Sequence, residues 1–105
     1  MSNKLSLEEL SKSLEKKIKT KEKGSYTAEL AKGGVEKITR KIGEEAIEVV
    51  IAAFLNEQKK TKKTHQDLVG EVCDLFYHTL VLLAAQKIEF NEILSELNKR
   101  NQKKK

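Results

Sequence analysis

A chain of 105 residues with a formal net charge of +5 has room for one hydrophobic core and no second domain. It has no proline, five glycines and few aromatic residues, and Lys, Glu, Leu, Ala and Ile dominate it. That excludes a large aromatic core and favours one all-α domain over residues 1–105. The single cysteine, Cys73, allows no intrachain disulfide and suits a reducing compartment. Met1 to Leu10 lacks the apolar stretch of a signal peptide, and no apolar run is read as reaching membrane-spanning length. A cytoplasmic protein without a membrane partner is expected. Apolar content is modest, so a lone bundle of this size would be marginal. The expected architecture is a bundle of four to five helices whose core is completed by homodimerisation.

Ser6 followed by Glu9 fits a capping box, and Leu7, Leu10, Leu14 and Ile18 recur at helical spacing. They predict a helix over 7–19. A polar loop ends at Gly24. A short helix is expected from Ser25-Tyr26-Thr27 to the break at Gly33-Gly34. A long helix should cover 35–56. Its second half, Ala46 to Leu55, is apolar nearly all round, which predicts burial on most sides. After a polar loop over 56–63, Thr64 is the expected cap of a helix running to about Gln86, with Asp67 in its first turn. Ile93, Leu94 and Leu97 predict a last helix over 90–98, and residues 98–105 a disordered basic tail.

Carboxylates interrupt the two most apolar segments. Glu44, Glu45 and Glu48 lie on the first, Glu71 and Asp74 on the second. Positions three or four apart share a helix face, so Glu45 pairs with Glu48 and Glu71 with Asp74. Asp67, Glu71, Asp74 and His78 fall within an arc of roughly 60°, as do Lys37, Lys41, Glu44 and Glu48. Several buried carboxylates raise one another's pKa and resist ionisation unless a cation compensates them. An all-oxygen donor set suits Mg²⁺, with Mn²⁺ as a substitute, rather than zinc. Such a metal would bridge carboxylates to substrate phosphates, while Lys37 and Lys41 neutralise phosphate oxygens.

The remaining candidates are weaker. His78 is either a satisfied core histidine or a holder of a carboxylate or of a metal-bound water. Tyr26 either stacks on a base or plugs the core. Cys73 is expected to be a small buried hydrophobe. Gly43 and Gly70, each just before an acidic cluster, suggest close helix–helix approach. The lysine runs read as solvated helix ends. No aromatic residue is interleaved with them, so a nucleic-acid partner is not expected.

The E-E-x-x-E and E-x-x-D pair resembles the all-α nucleoside triphosphate pyrophosphohydrolases, the MazG-like superfamily. Longer strings are similar to the phosphoribosyl-ATP pyrophosphatases within it. They are Ser25-Tyr26-Thr27, Gly34-Val35-Glu36-Lys37-Ile38, Lys41-Ile42-Gly43-Glu44-Glu45-Ala46-Ile47-Glu48, and Glu71-Val72-Cys73-Asp74-Leu75-Phe76-Tyr77-His78. This resemblance spans roughly residues 7–100. It implies Mg²⁺-dependent hydrolysis of the α–β phosphoanhydride of 1-(5-phosphoribosyl)-ATP to phosphoribosyl-AMP and pyrophosphate, a step of histidine biosynthesis, by a homodimer. Carried over by position, it implies Glu45, Glu48, Glu71 and Asp74 as metal ligands. Glu44 would be a further ligand or the group that orients water. Lys37 and Lys41 would contact phosphates, and Tyr77 and His78 would line or brace the site. Gly70 departs from the bulkier helix former expected there, and the basic tail extends past the family core. Some relatives are fused to a phosphoribosyl-AMP cyclohydrolase. A chain of this length leaves no room for that domain, so the next step is expected elsewhere. Two other readings compete. One is a house-cleaning hydrolase of ordinary nucleoside triphosphates; the other is a non-enzymatic basic helical module whose binding would be strongly salt-dependent.

Overall fold

A computed structural model describes residues 4–103. Among them are five helices and no strand: α1 (Leu7–Thr20), α2 (Tyr26–Lys32), α3 (Gly34–Lys59), α4 (Lys62–Ala85) and α5 (Phe90–Lys103). The all-α expectation holds.

Local chemistry sets the helix ends. The Ser6 side chain accepts from the Glu9 N–H, and the Glu9 carboxylate accepts from the Ser6 N–H, which closes the predicted capping box. Ser25 caps α2 by accepting from the Ala28 N–H. Gly34 has φ +87, a left-handed conformation that favours glycine, and it turns the chain from α2 into α3 across the single residue Gly33.

The long helices meet at a connection of two residues. Lys60 ends α3 in the left-handed region, and its N–H donates to the Asn56 carbonyl. Thr61 then caps α4 by accepting from the Thr64 N–H. Thr64 is therefore not the cap. It is the third residue of the helix, its hydroxyl accepts from the Thr61 N–H, and it also donates to Asn56 Oδ1. The expected loop over 56–63 shrinks accordingly. Thr61→Ala is expected to cost about 1 kcal/mol, seen as a lower urea midpoint with an unchanged slope.

The core comprises Leu14 of α1, Leu30 of α2, Ile38 of α3, and Leu80 and Val81 of α4. Leu10, Ile18, Ile42, Tyr77, Leu82, Leu83 and Phe90 pack around it. It sits where α1 and α2 cover the first turns of α3 and the last turns of α4. The other half of the α3–α4 hairpin is left bare. Ile47, Val50, Ile51, Phe54 and Leu55 are exposed, at the spacing of one helix face, and Val69 and Phe76 of α4 are exposed as well. The expectation that Ala46 to Leu55 is buried on most sides thus fails within one chain. Only α4 packs along α3 there, and a helix that is apolar all round needs neighbours on more than one side.

Four further expectations change. Cys73 is exposed, because it lies on the side of α4 turned away from the bundle. Cβ atoms added at Gly43 or Gly70 would meet nothing within 4 Å, so neither glycine marks a close helix approach in this chain. The helix α5 continues through Asn98 to Lys103, and of the expected disordered tail only 104–105 lies outside the described residues. Finally, α4 is long and apolar enough to cross a membrane by length and composition. An uninterrupted apolar run was not visible because Glu71 and Asp74 fall within it. Its contacts are with α1, α2 and α3, as for a core helix of a bundle.

Candidate active site

A two-residue turn fixes the register of the hairpin. Glu48 and Glu71 lie at similar distances from it, roughly 18 Å and 15 Å along their helices at about 1.5 Å per residue. The acidic faces of α3 and α4 therefore meet just beyond the core. One oxygen each from Glu45, Glu71 and Asp74 lie within 4.8 Å of one another. Glu48 lines the same cleft as Glu71 and lies near enough to act on its carboxyl. Of the five predicted acidic residues, Glu44 stands apart. Its carboxylate is exposed and lies 3.7 Å from Lys41 Nζ.

The acids sit in one another's field. The Glu71 carboxyl is pushed up to about 7, first by the hydrogen bond to Glu48, then by desolvation and by the charges of Glu48, Glu45 and Asp74. Glu45 is also raised, first by burial and then by the charges of Glu48 and Asp74. Glu45 Oε1 and Glu71 Oε1 are buried and have no hydrogen-bond partner. Orphaned acceptors of this kind are costly unless something donates to them or coordinates them.

These shifts give a sign to the pH dependence of the metal-free protein. The folded state keeps the Glu71 proton to higher pH than the unfolded chain does. Stability from this group is therefore full below about pH 4.5 and is lost as pH rises through about 7. Urea midpoints taken in a chelator should fall between pH 5 and pH 7.5, and a rise over that window would contradict the close carboxylate contact.

The other predicted residues fall into two sets. His78 is buried, and its Nδ1 lies 2.8 Å from the Asp74 carbonyl oxygen. A carbonyl only accepts, so Nδ1 carries the proton and Nε2 accepts from the Tyr26 hydroxyl at 3.0 Å. Tyr26 and His78 are thus brought together beside Asp74. Lys37 and Lys41 lie on α3 on the N-terminal side of the acids. Lys37 is exposed, and among the described residues no ion pair joins either lysine to Glu45, Glu48, Glu71 or Asp74. Asp67, on the predicted stripe, instead pairs with Lys63 at 2.9 Å. It still lines, with Glu48, Glu71, Thr64, Ile51, Ala52 and Leu55, an open cleft of about 180 Å³ between α3 and α4. The buried Thr27 was not singled out from the sequence. Its hydroxyl bonds the Tyr77 hydroxyl from a position 50 residues away in the chain, and the sole sequence signal was its place in the Ser25-Tyr26-Thr27 string.

An α-helical hairpin with carboxylates from both helices at its middle offers an all-oxygen donor group. Comparison with known proteins gives the class of protein that carries it. The sequence model of the phosphoribosyl-ATP pyrophosphohydrolase family matches residues 7–101, and the chain belongs to that family. It is 43% identical over 94 residues to the phosphoribosyl-ATP pyrophosphatase of Metallosphaera sedula, covering 90% of this chain and 94% of the relative. It is 51% identical over 80 residues to that of Listeria monocytogenes serotype 4b, covering 76% of this chain and 70% of the relative. It also matches the histidine biosynthesis bifunctional protein HisIE of Buchnera aphidicola, 44% identical over 80 residues, which is 76% of this chain and 35% of that longer protein.

Proposed function

We propose that this protein hydrolyses the α–β phosphoanhydride of 1-(5-phosphoribosyl)-ATP, releasing pyrophosphate and phosphoribosyl-AMP, as a cytoplasmic step of histidine biosynthesis. The observation that carries the reading is the meeting of Glu45, Glu71 and Asp74 with two buried oxygens left without partners, in a chain of this family. The donor set is all oxygen and bears several negative charges. It fits a hard divalent cation, so we assign Mg²⁺, with Mn²⁺ as a substitute, to Glu45, Glu48, Glu71 and Asp74. When bound, such an ion draws charge from the phosphoryl oxygens and lowers the pKa of a nearby water.

The chain's own residues supply the rest of the chemistry. Glu44, exposed at the rim, orients the attacking water. Lys41 leaves Glu44 and, with Lys37, takes up the negative charge of the phosphate chain as the anhydride opens. The exchange is cheap, because the Lys41–Glu44 pair is long and solvated. Tyr26 contacts the nucleoside, and the buried His78 braces the site behind it. The bare apolar face of the hairpin is covered by a second copy, giving a homodimer in which two hairpins share one core.

The test is to incubate the protein and Mg²⁺ with phosphoribosyl-ATP and, in parallel, with ATP and dNTPs, measuring pyrophosphate and phosphate separately. Mg²⁺-dependent pyrophosphate from phosphoribosyl-ATP alone is the expected result. Release mainly from plain triphosphates would move the protein to the house-cleaning hydrolases. No release from any of them would overturn the catalytic reading.

A further inference from the structure

Beside the carboxylates lies a group of side chains that the hydrolytic chemistry does not require. Tyr26, the first residue of α2, is 50% exposed. One face of its ring stacks on Tyr77, with centroids 6.2 Å apart and planes at 23°. His78 stands edge-on to both rings, at 5.9 Å and 87° from Tyr26 and 5.3 Å and 89° from Tyr77. The Tyr26 hydroxyl is held by His78 Nε2. The Tyr77 hydroxyl is held by Thr27, which is 2% exposed and is the next residue after Tyr26.

These contacts close a loop. Thr27 fixes the far end of Tyr77, Tyr77 backs the inner face of Tyr26, and His78 pins the tip of Tyr26. A tyrosine that merely filled the core would be covered on both faces and would need no such restraint. Here Tyr77 braces the ring from one side, and the residue still remains half exposed. His78 is one turn from Asp74 and bonds its carbonyl, so the open ring is tied to the acidic cluster through a single side chain.

We propose that Thr27 and Tyr77 are positioning residues that hold the Tyr26 ring as a ready-made stacking platform for a purine base. The inference rests on the nucleotide-hydrolysing reading above. An open aromatic face accepts any base by stacking, and purines cover more of it than pyrimidines do. A ring already held in its bound orientation loses little freedom when the base arrives, and that is where bracing adds affinity. The platform reads the planar base, and the phosphates remain with the acidic site.

The test is calorimetric titration of the whole protein, in Mg²⁺, with AMP and with ribose 5-phosphate. The wild-type chain should bind AMP at least about fivefold tighter than ribose 5-phosphate, the lower end of what a base–aromatic stack carries. Tyr26→Leu should remove that preference. Tyr77→Phe keeps the stacked ring and deletes only the hydroxyl; Thr27→Val deletes its partner. Each should shrink the AMP to ribose 5-phosphate ratio by about two- to tenfold, the size of one hydrogen bond. The double variant should shrink it no further, because both changes break the same contact. Ribose 5-phosphate affinity should stay unchanged in all of them, which also shows that the variants are folded. An unchanged ratio in Tyr77→Phe and Thr27→Val would overturn the proposal. So would parallel weakening of both probes, the mark of a brace that only stabilises the fold, and so would a wild-type protein that does not prefer AMP. Failure of the catalytic reading shows separately, as absence of pyrophosphate release from phosphoribosyl-ATP.

Discussion

Glu71→Gln is expected to suppress Mg²⁺-dependent pyrophosphate release by well over about 100-fold, and at the same time to stabilise the metal-free protein at pH 7.5. The two effects have one origin. Glu71 contacts Glu48 and sits in the field of Glu45 and Asp74, so its negative charge is the one the cluster accommodates least well without a cation. Replacement of a group that merely supports a metal ligand already costs roughly 10- to 100-fold; loss of a ligand should exceed that. The amide keeps the shape of the side chain and removes the repulsion, so the urea midpoint in chelator should rise. Added Mg²⁺ should then stabilise the variant less than it stabilises the wild-type protein. A Glu71→Gln protein with near-normal turnover would remove Glu71 from the catalytic assignment. A variant that loses turnover and is also less stable in chelator would point to a structural role.

Phe54→Asp should break the homodimer that we propose. Phe54 is 73% exposed and lies on the face of α3 that carries Ile47, Val50 and Ile51. Burying a phenylalanine contributes about 1.5–3 kcal/mol. A two-fold interface uses the position twice, so the dissociation constant should rise by at least about 100-fold. The substituted residue is solvent-exposed within one chain, so helix content by circular dichroism should be retained. Sedimentation of the wild-type protein as a monomer at micromolar concentration would sink the dimer. Unchanged self-association of Phe54→Asp would show that a different face is used.

Residues close in sequence made most of the structure legible. Ser6 and Glu9 announced the start of α1 because a capping box is written in four consecutive residues. The carboxylates could be assigned to shared faces because helical periodicity relates positions three and four apart. The start of α4 was misread because Thr61 and Thr64 form a reciprocal box without the glutamate or glutamine usually found at its third helical position. The ends of α1 and α3 carry lysines in the left-handed conformation instead of glycine, so the usual stop signal was missing. The apolar segment of α3 revealed that it needs cover, but periodicity does not say which chain provides it. The contacts of Tyr26 with Tyr77 and His78 span about half the chain, and no local pattern encodes them. Two strings could be quoted as motifs without any sign that their hydroxyls meet.

The two-residue link at Lys60 and Thr61 also has a kinetic meaning. Glu45, Glu48, Glu71 and Asp74 all belong to one contiguous hairpin, and α1 and α2 close over its open end. Chain-closure entropy for so short a link is small, and contacts along a helical hairpin are local in sequence, the condition for rapid folding. The acidic group can therefore assemble as α3 and α4 zip up from their turn, ahead of the longer-range docking of the N-terminal helices. Mutual repulsion among the carboxylates then opposes an early step on the folding path as well as the finished structure.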